Sequence, residues 1–139
     1  IFYTIEVNAS VIEGPSAGAA MAVSVALGMQ NKTSNPSVVI TGVIAEDGRI
    51  MPVGAVKQKA IAAKEAGATK VLVPLNMSME TQTAKEKQCV EQRLDGYTIQ
   101  KCEITYSPED VSISDDIGIE VVEVATIADA VREFTETEM

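Results

Sequence analysis

No histidine occurs anywhere in the chain, so a histidine-based catalytic triad and a histidine-rich zinc site are both excluded within it. Tryptophan is missing too, and aromatic residues make up only 4% of the sequence. Small and branched aliphatic side chains must therefore fill the core that a 46% hydrophobic fraction supports. Basic residues are scarce: 11 Lys and Arg stand against 20 Asp and Glu, a formal charge of -9 with no extended basic patch, which argues against a nucleic-acid partner. No apolar run approaches membrane-spanning length. Only two cysteines are present, Cys89 and Cys102; they fall short of a metal site, and reduced thiols are expected rather than a pair formed in an oxidising compartment. An initiator methionine is also lacking, and the expectation drawn from it is a processed or excised product with room for an upstream anchor, signal or partner domain.

At 139 residues the chain suits one compact domain spanning 1–139. Its order turns on Glu13-Gly14-Pro15-Ser16-Ala17-Gly18-Ala19-Ala20, where a restrained turn opens into a small-residue, helix-favouring run. Ser16 falls at the mouth of that helix, and two readings stay open. As an N-cap it closes the first turn and binds nothing. As a nucleophile it faces a cleft, with unpaired backbone N–H groups nearby to hold negative charge developing on a substrate oxygen. On the second reading Glu13, Gly14, Pro15 and Ala17 shape the cleft and its oxyanion hole together with Ser16 itself.

Around this turn the pattern alternates between strands and helices, which predicts an α/β domain. Phe2–Val7 reads as a strand, and Ala17 to about Gln30 as a helix with Ala20, Val23 and Leu27 at helical spacing. Asn31-Lys32-Thr33 in the following connection matches a glycosylation sequence. Ser37–Ala45 predicts one buried strand, with Glu46-Asp47-Gly48 turning the chain back through Arg49-Ile50-Met51. Ala55–Ala66 predicts a helix whose inward stripe is Val56, Ala60 and Ala63. Lys59 borders that stripe at about 60° from Val56, whereas Lys57 sits about 100° away on a more exposed flank.

Lys70–Pro74 predicts a short buried strand. Ser78 to about Leu94 reads as a helix stopped by Gly96, Tyr97–Tyr106 as extended chain, and Ser107-Pro108-Glu109-Asp110 through Asp115-Asp116 as an acidic connection. The stretch 76–116 is a candidate insertion altering access to the cleft. Ile119–Val124 then predicts a strand, Thr126 to about Phe134 a helix with Ile127, Val131 and Phe134 near one face, and the residues from Glu136 onward a frayed end.

With histidine excluded, Ser16 and Lys59 form the plausible pair for covalent catalysis. A neutral lysine amine accepts the serine proton as the hydroxyl attacks a carbonyl, then returns it to the leaving amine. Burial away from water favours the neutral form. Thr41, otherwise an ordinary β-branched strand residue, can orient that amine if its hydroxyl faces the cleft.

Gly14-Pro15-Ser16-Ala17-Gly18, Thr41-Gly42 and Met51-Pro52-Val53-Gly54-Ala55-Val56-Lys57-Gln58-Lys59 together resemble the proteolytic domain of Lon family serine peptidases, especially a Lon-like archaeal member. The likeness continues through Ala62-Ala63-Lys64-Glu65-Ala66-Gly67 and Val71-Leu72-Val73-Pro74 and returns at the terminal strand and helix. It implies the Lon-protease-like α/β fold, related to ribosomal protein S5 domain 2. By the same resemblance Ser16 is the nucleophile, Lys59 the general base and Thr41 the lysine-orienting residue. The implied reaction is peptide-bond hydrolysis through an acyl-enzyme, by a serine-type endopeptidase of family S16 acting on unfolded peptide or protein.

The resemblance also implies a homo-oligomeric ring, potentially hexameric. Peptide hydrolysis then needs no cofactor, and ATP enters only through a separate ATPase module, of which no nucleotide motif is visible. It leaves the compartment open, cytoplasmic or membrane-associated through upstream segments. Glu13 stands where aspartate is frequent, and Val43 where an acidic residue often follows Thr-Gly. Two alternatives remain: a catalytically silent or assembly-dependent Lon-like structural module, and a small-molecule kinase-like protein cradling phosphate at Gly14-Pro15-Ser16.

Overall fold

Val71, Leu72, Val73 and Pro74 are consecutive buried residues, a pattern that suits a strand covered on both faces. In the computed structural model, which describes residues 2–10 and 14–136, they belong to β4 (Lys70–Pro74). This strand lies in the middle of a parallel sheet, between β1 (Val38–Ile40) and β7 (Glu120–Val124). The register sets Val71 beside both Val39 and Val121. Successive strand residues face opposite sides, so Leu72 enters one core and Val71 and Val73 the other. Leu72 shares its cluster with Val23 and Leu27 of α1 (Gly18–Met29) and with Val131 and Phe134 of α4 (Ile127–Thr135). Val71 and Val73 share theirs with Val56 and Ala60 of α2 (Val56–Glu65) and Ile113 of α3 (Ile113–Ile117). Helices on both faces of a parallel sheet make the expected α/β class.

Several local readings hold. The Glu46-Asp47-Gly48 turn joins β2 (Val43–Ile44) antiparallel to β3 (Ile50–Met51). Thr126 and Asp129 cap α4 reciprocally, each side chain accepting from the other's backbone N–H. Others need correction. The predicted strand over Ser37–Ala45 is two strands, because the chain breaks at Thr41-Gly42 to meet the serine turn. Phe2–Val7 forms no strand: it has the alternation but pairs with none of the described strands, and its backbone is exposed. Within it, the Tyr3 hydroxyl donates to the Met21 carbonyl at 3.0 Å, laying the segment on α1. Of the readings near the termini and the turn, those on Ile1, Glu13 and Thr137-Glu138-Met139 lie outside the described residues.

The largest correction is at 78–94, read as a helix and found as β5 (Met79–Leu94), paired residue for residue with β6 (Tyr97–Ser112). Ser107-Pro108-Glu109-Asp110 lies inside β6 rather than in a connection, and Asp115-Asp116 inside α3. Asp95 and Gly96 both take left-handed geometry, φ 49° and 81°, which is the two-residue hairpin turn an Asp-Gly pair favours. Once that turn forms, the β-branched and aromatic partner strand outweighs the helix-forming Glu, Gln and Lys of β5. Cys89 and Cys102 face each other in this register and form a disulfide, against the expectation of reduced thiols. The resulting arm is about 50 Å long at the strand rise. Every residue from 85 to 110 is exposed.

Candidate active site

Gly14 (φ 114°) and Pro15 bend the chain into a 3₁₀ turn, Pro15–Ala17, that runs directly into α1. Ser16 is the middle residue of that turn. The cap positions fall on Gly14 and Ala17, and neither helical segment has a side-chain cap bond. Ser16 is therefore not an N-cap, which removes the simpler of its two sequence readings. Backbone bonds fix the turn instead: Gly42 N–H donates to the Ser16 carbonyl, and Ala19 N–H donates to the Gly42 carbonyl, each at 3.0 Å. A Cβ on Gly42 would overlap the Cγ2 methyl of Ile50 and lie 3.3 Å from Ala19 Cβ, so this close approach needs glycine.

Thr41 precedes that clip. Its N–H donates to the Leu72 carbonyl at 3.1 Å, anchoring it to β4, and its side chain is buried at 7% exposure yet still lines the cleft. Lys59 comes from α2 on the other side of the cleft. Its N–H donates to the Ala55 carbonyl at 3.1 Å, in the helix's first turn. Ala55 itself is held in left-handed geometry (φ 55°, ψ 40°), a strain of about 1–2 kcal/mol for a residue with a Cβ.

Ser16, Thr41 and Lys59 line one cleft of about 430 Å³, walled otherwise by apolar side chains such as Ala20, Val39 and Val71. A second cleft, also about 430 Å³, is bounded by Pro15, Val43, Pro52, Ala55 and again Ser16 and Lys59. These two are the residues common to both linings, so they stand at the boundary between the clefts. Val43 adds an apolar surface to the second cleft. Among the described residues no hydrogen bond joins the Ser16 hydroxyl, the Thr41 hydroxyl and the Lys59 amine, and no carboxylate pairs with Lys59. Catalytic contacts of this kind often tighten only when substrate is bound.

Lys57 is occupied differently. Its Nζ lies 2.8 Å from Asp116 and 3.4 Å from Glu80, and its side chain is half-buried rather than free on an exposed flank. The hydrogen bond to Asp116 raises the Lys57 pKa, and the same bond holds the Asp116 carboxyl below its ordinary value. Two lysines two positions apart thus serve different ends: Lys57 ties α2 to the base of the arm, and Lys59 borders the clefts.

The apolar lining was the part that sequence reasoning missed. Val39 and Val71 read simply as residues of buried strands, and Pro52 and Val53 entered as part of the resemblance. Ala20 carried one usable signal: four positions after Ser16, it shares a helical face with it. Among the described residues no group of three or more His, Cys, Asp or Glu side chains could hold a metal ion, and no helix is long and apolar enough to cross a membrane.

Residues 5–104 match the family model for the Lon protease (S16) C-terminal proteolytic domain. The Lon protease of Chloroherpeton thalassium is 39% identical over 74 residues, which is 53% of this chain and 9% of that protein. Lon protease 1 of Bdellovibrio bacteriovorus is 46% identical over 61 residues, 44% of this chain and 8% of that protein. The Lon protease of Clostridioides difficile is 44% identical over 62 residues, 45% and 8% respectively. The matched part of the chain thus spans under a tenth of the length of each of these relatives.

Proposed function

The chain belongs to the Lon protease (S16) C-terminal proteolytic domain family, and on that premise we propose that it is a serine endopeptidase in which Ser16 is the nucleophile and Lys59 the general base. The observation that carries this reading is the position of a serine free of any capping bond on the boundary of two clefts that Lys59 also borders. A peptide crossing that boundary would present its scissile carbonyl to the hydroxyl. The lysine amine accepts the serine proton as the C–O bond of the tetrahedral adduct forms, then delivers it to the leaving amine as the C–N bond breaks. Water repeats the cycle on the acyl-enzyme. The backbone of the serine turn supplies donors to the oxyanion, and Thr41 steadies the amine from the end of β1.

The apolar walls of both clefts suit an extended, unfolded segment with aliphatic side chains. We read the domain as a Lon-like form of the archaeal type, kin to ribosomal protein S5 domain 2, working in a homo-oligomeric ring such as a hexamer. Peptide hydrolysis itself draws on no cofactor in this reading, and ATP belongs to a separate unfolding module.

The test is covalent labelling. The purified protein is treated with a serine-reactive phosphonate, its assembly state is recorded by light scattering, and the modified peptide is sequenced. An adduct on Ser16 that disappears in folded Ser16→Ala and Lys59→Ala variants is the expected result. No adduct in any assembly state, beside a labelled control peptidase, would leave the silent structural module as the better reading.

A further inference from the structure

The chain has four asparagines, and three of them, Asn8, Asn31 and Asn76, stand two positions before a serine or threonine with no proline between. The fourth, Asn35, is followed by Pro36, which disqualifies Asn35-Pro36-Ser37 as a glycan acceptor. The structure divides them in the same way. Asn35 Oδ1 accepts from the Ser37 N–H at 2.9 Å and so builds its own turn. Among the described residues the side chains of Asn8, Asn31 and Asn76 make no hydrogen bond, and all three residues are exposed. None of them lines the clefts bounded by Ser16 and Lys59. Asn31 leaves α1 at φ 53°, within a stretch, 28–34, that is exposed throughout.

A second observation comes from the exposed arm. Cys89 and Cys102 are joined on the exposed arm, where a cytosolic reductant would meet no obstruction. Such disulfides persist in oxidising compartments, and asparagine glycosylation marks surface loops of secreted chains. Two unrelated chemistries therefore point to one route of maturation.

We propose that Asn31, with Asn8 and Asn76, accepts N-linked glycan from a lipid-linked oligosaccharide as the chain enters an oxidising compartment. In that transfer the carboxamide nitrogen attacks the anomeric carbon of the donor sugar. A C–N bond forms, and the C–O bond to the lipid-borne phosphate breaks. The phosphate leaves with the electron pair, and the displaced amide proton passes to the transfer enzyme and then to solvent, with no change of oxidation state. At Asn76 the transfer precedes folding, because the Ser78 hydroxyl donates to Glu123 Oε2 at 2.5 Å in the closed turn. At Asn31 the acceptor stays open in the folded chain. None of this depends on the peptidase reading, since no residue at the boundary of the clefts takes part.

The experiment isolates the protein from its source cells with free thiols alkylated at lysis, then sequences its peptides by electron-transfer fragmentation. Trypsin cuts after Lys32 and so separates Asn31 from Asn35. The expected result is a saccharide mass on Asn31 and none on Asn35, with Cys89 and Cys102 resistant to alkylation until reduced. Thr33→Ala should abolish the Asn31 adduct, and Thr33→Ser should retain it. A bare Asn31, an adduct that survives Thr33→Ala, or Cys89 and Cys102 alkylated at lysis would each overturn the proposal; a bare Asn8 or Asn76 would strike that residue from the acceptor set.

Discussion

The Gly42 N–H donates to the Ser16 carbonyl at 3.0 Å, so the turn carrying the proposed nucleophile is held by the residue that follows Thr41. Serine and threonine are thereby fixed relative to each other by main chain alone, whatever their side chains do. Gly42→Ala should expose this dependence. The new methyl would overlap Ile50, a core residue at 5% exposure, and press on Ala19. Overpacking of this kind costs about 1–3 kcal/mol, readable as a lower urea midpoint with the slope unchanged. Peptidase turnover should fall further than the loss of folded protein accounts for, because relief of the overlap moves the turn away from Thr41.

Lys57 and Lys59 separate by function in a single experiment. Lys59→Met removes the proposed base, with an expected fall in kcat of about 10²–10⁴-fold and little change in the urea midpoint. Lys57→Met removes the pair with Asp116 and Glu80 and leaves the clefts intact, so phosphonate labelling of Ser16 should persist. Loss of labelling in Lys57→Met alone would reverse the assignment of the two lysines.

Thr41→Val keeps the β-branched shape and removes the hydroxyl. If that hydroxyl orients the lysine, kcat should drop by about 100-fold, the effect of a small misplacement. KM should stay near its original value, and Thr41→Ser should restore most of the loss. Equal activity in Thr41→Val and the parent would reduce Thr41 to packing.

Much of this arrangement was legible in the chain itself. Val56, Ala60 and Lys59 fall where helical spacing puts them, and the buried run of β4 announces a central strand. What escaped was set by partners remote in sequence. Thr41-Gly42 looks like strand interior until the serine turn claims its hydrogen bonds. Phe2–Val7 alternates correctly but pairs with no described strand. Met79–Leu94 has helix-forming composition, and only Asp95-Gly96 signalled the hairpin that overrides it. Ser16 had two readings because a cap and a nucleophile occupy almost the same address; the fold puts the caps at Gly14 and Ala17, and covalent labelling tests the other reading.

The Lys57–Asp116 pair makes the packing of α3 on α2 depend on pH with a definite sign. Asp116 has its carboxyl lowered by the Lys57 hydrogen bond, so its contribution is present above the ordinary value of 3.8 and is lost as pH falls through the lower folded value. Lys57 is raised by the Asp116 hydrogen bond, so its contribution is complete below 10.5 and is lost as pH rises through the higher folded value. Hydrogen exchange in α3 should therefore show a plateau of protection between those limits and a decline outside them. The Lys57→Met variant should show no Asp116-linked decline on the acid side, and an unchanged acid limb would assign the loss to other carboxylates.

The arm should also open on its own. Beyond its base it buries little: residues 85–110 are exposed throughout, so distal β5–β6 pairing rests on the ladder, the Asp95-Gly96 turn and the Cys89–Cys102 disulfide. A cross-link closing a loop of this size contributes about 3 kcal/mol through the unfolded arm, equivalent to roughly a 100-fold change in an opening equilibrium. Reduction should accelerate amide exchange across 90–101 by about that factor. Amides of β4, deep in both cores, should not respond, because local opening draws only on contacts made locally. Were β4 to accelerate in step with the arm tip, the hairpin would be part of the same cooperative unit as the sheet, and its sixteen paired positions would be supporting the fold rather than projecting from it.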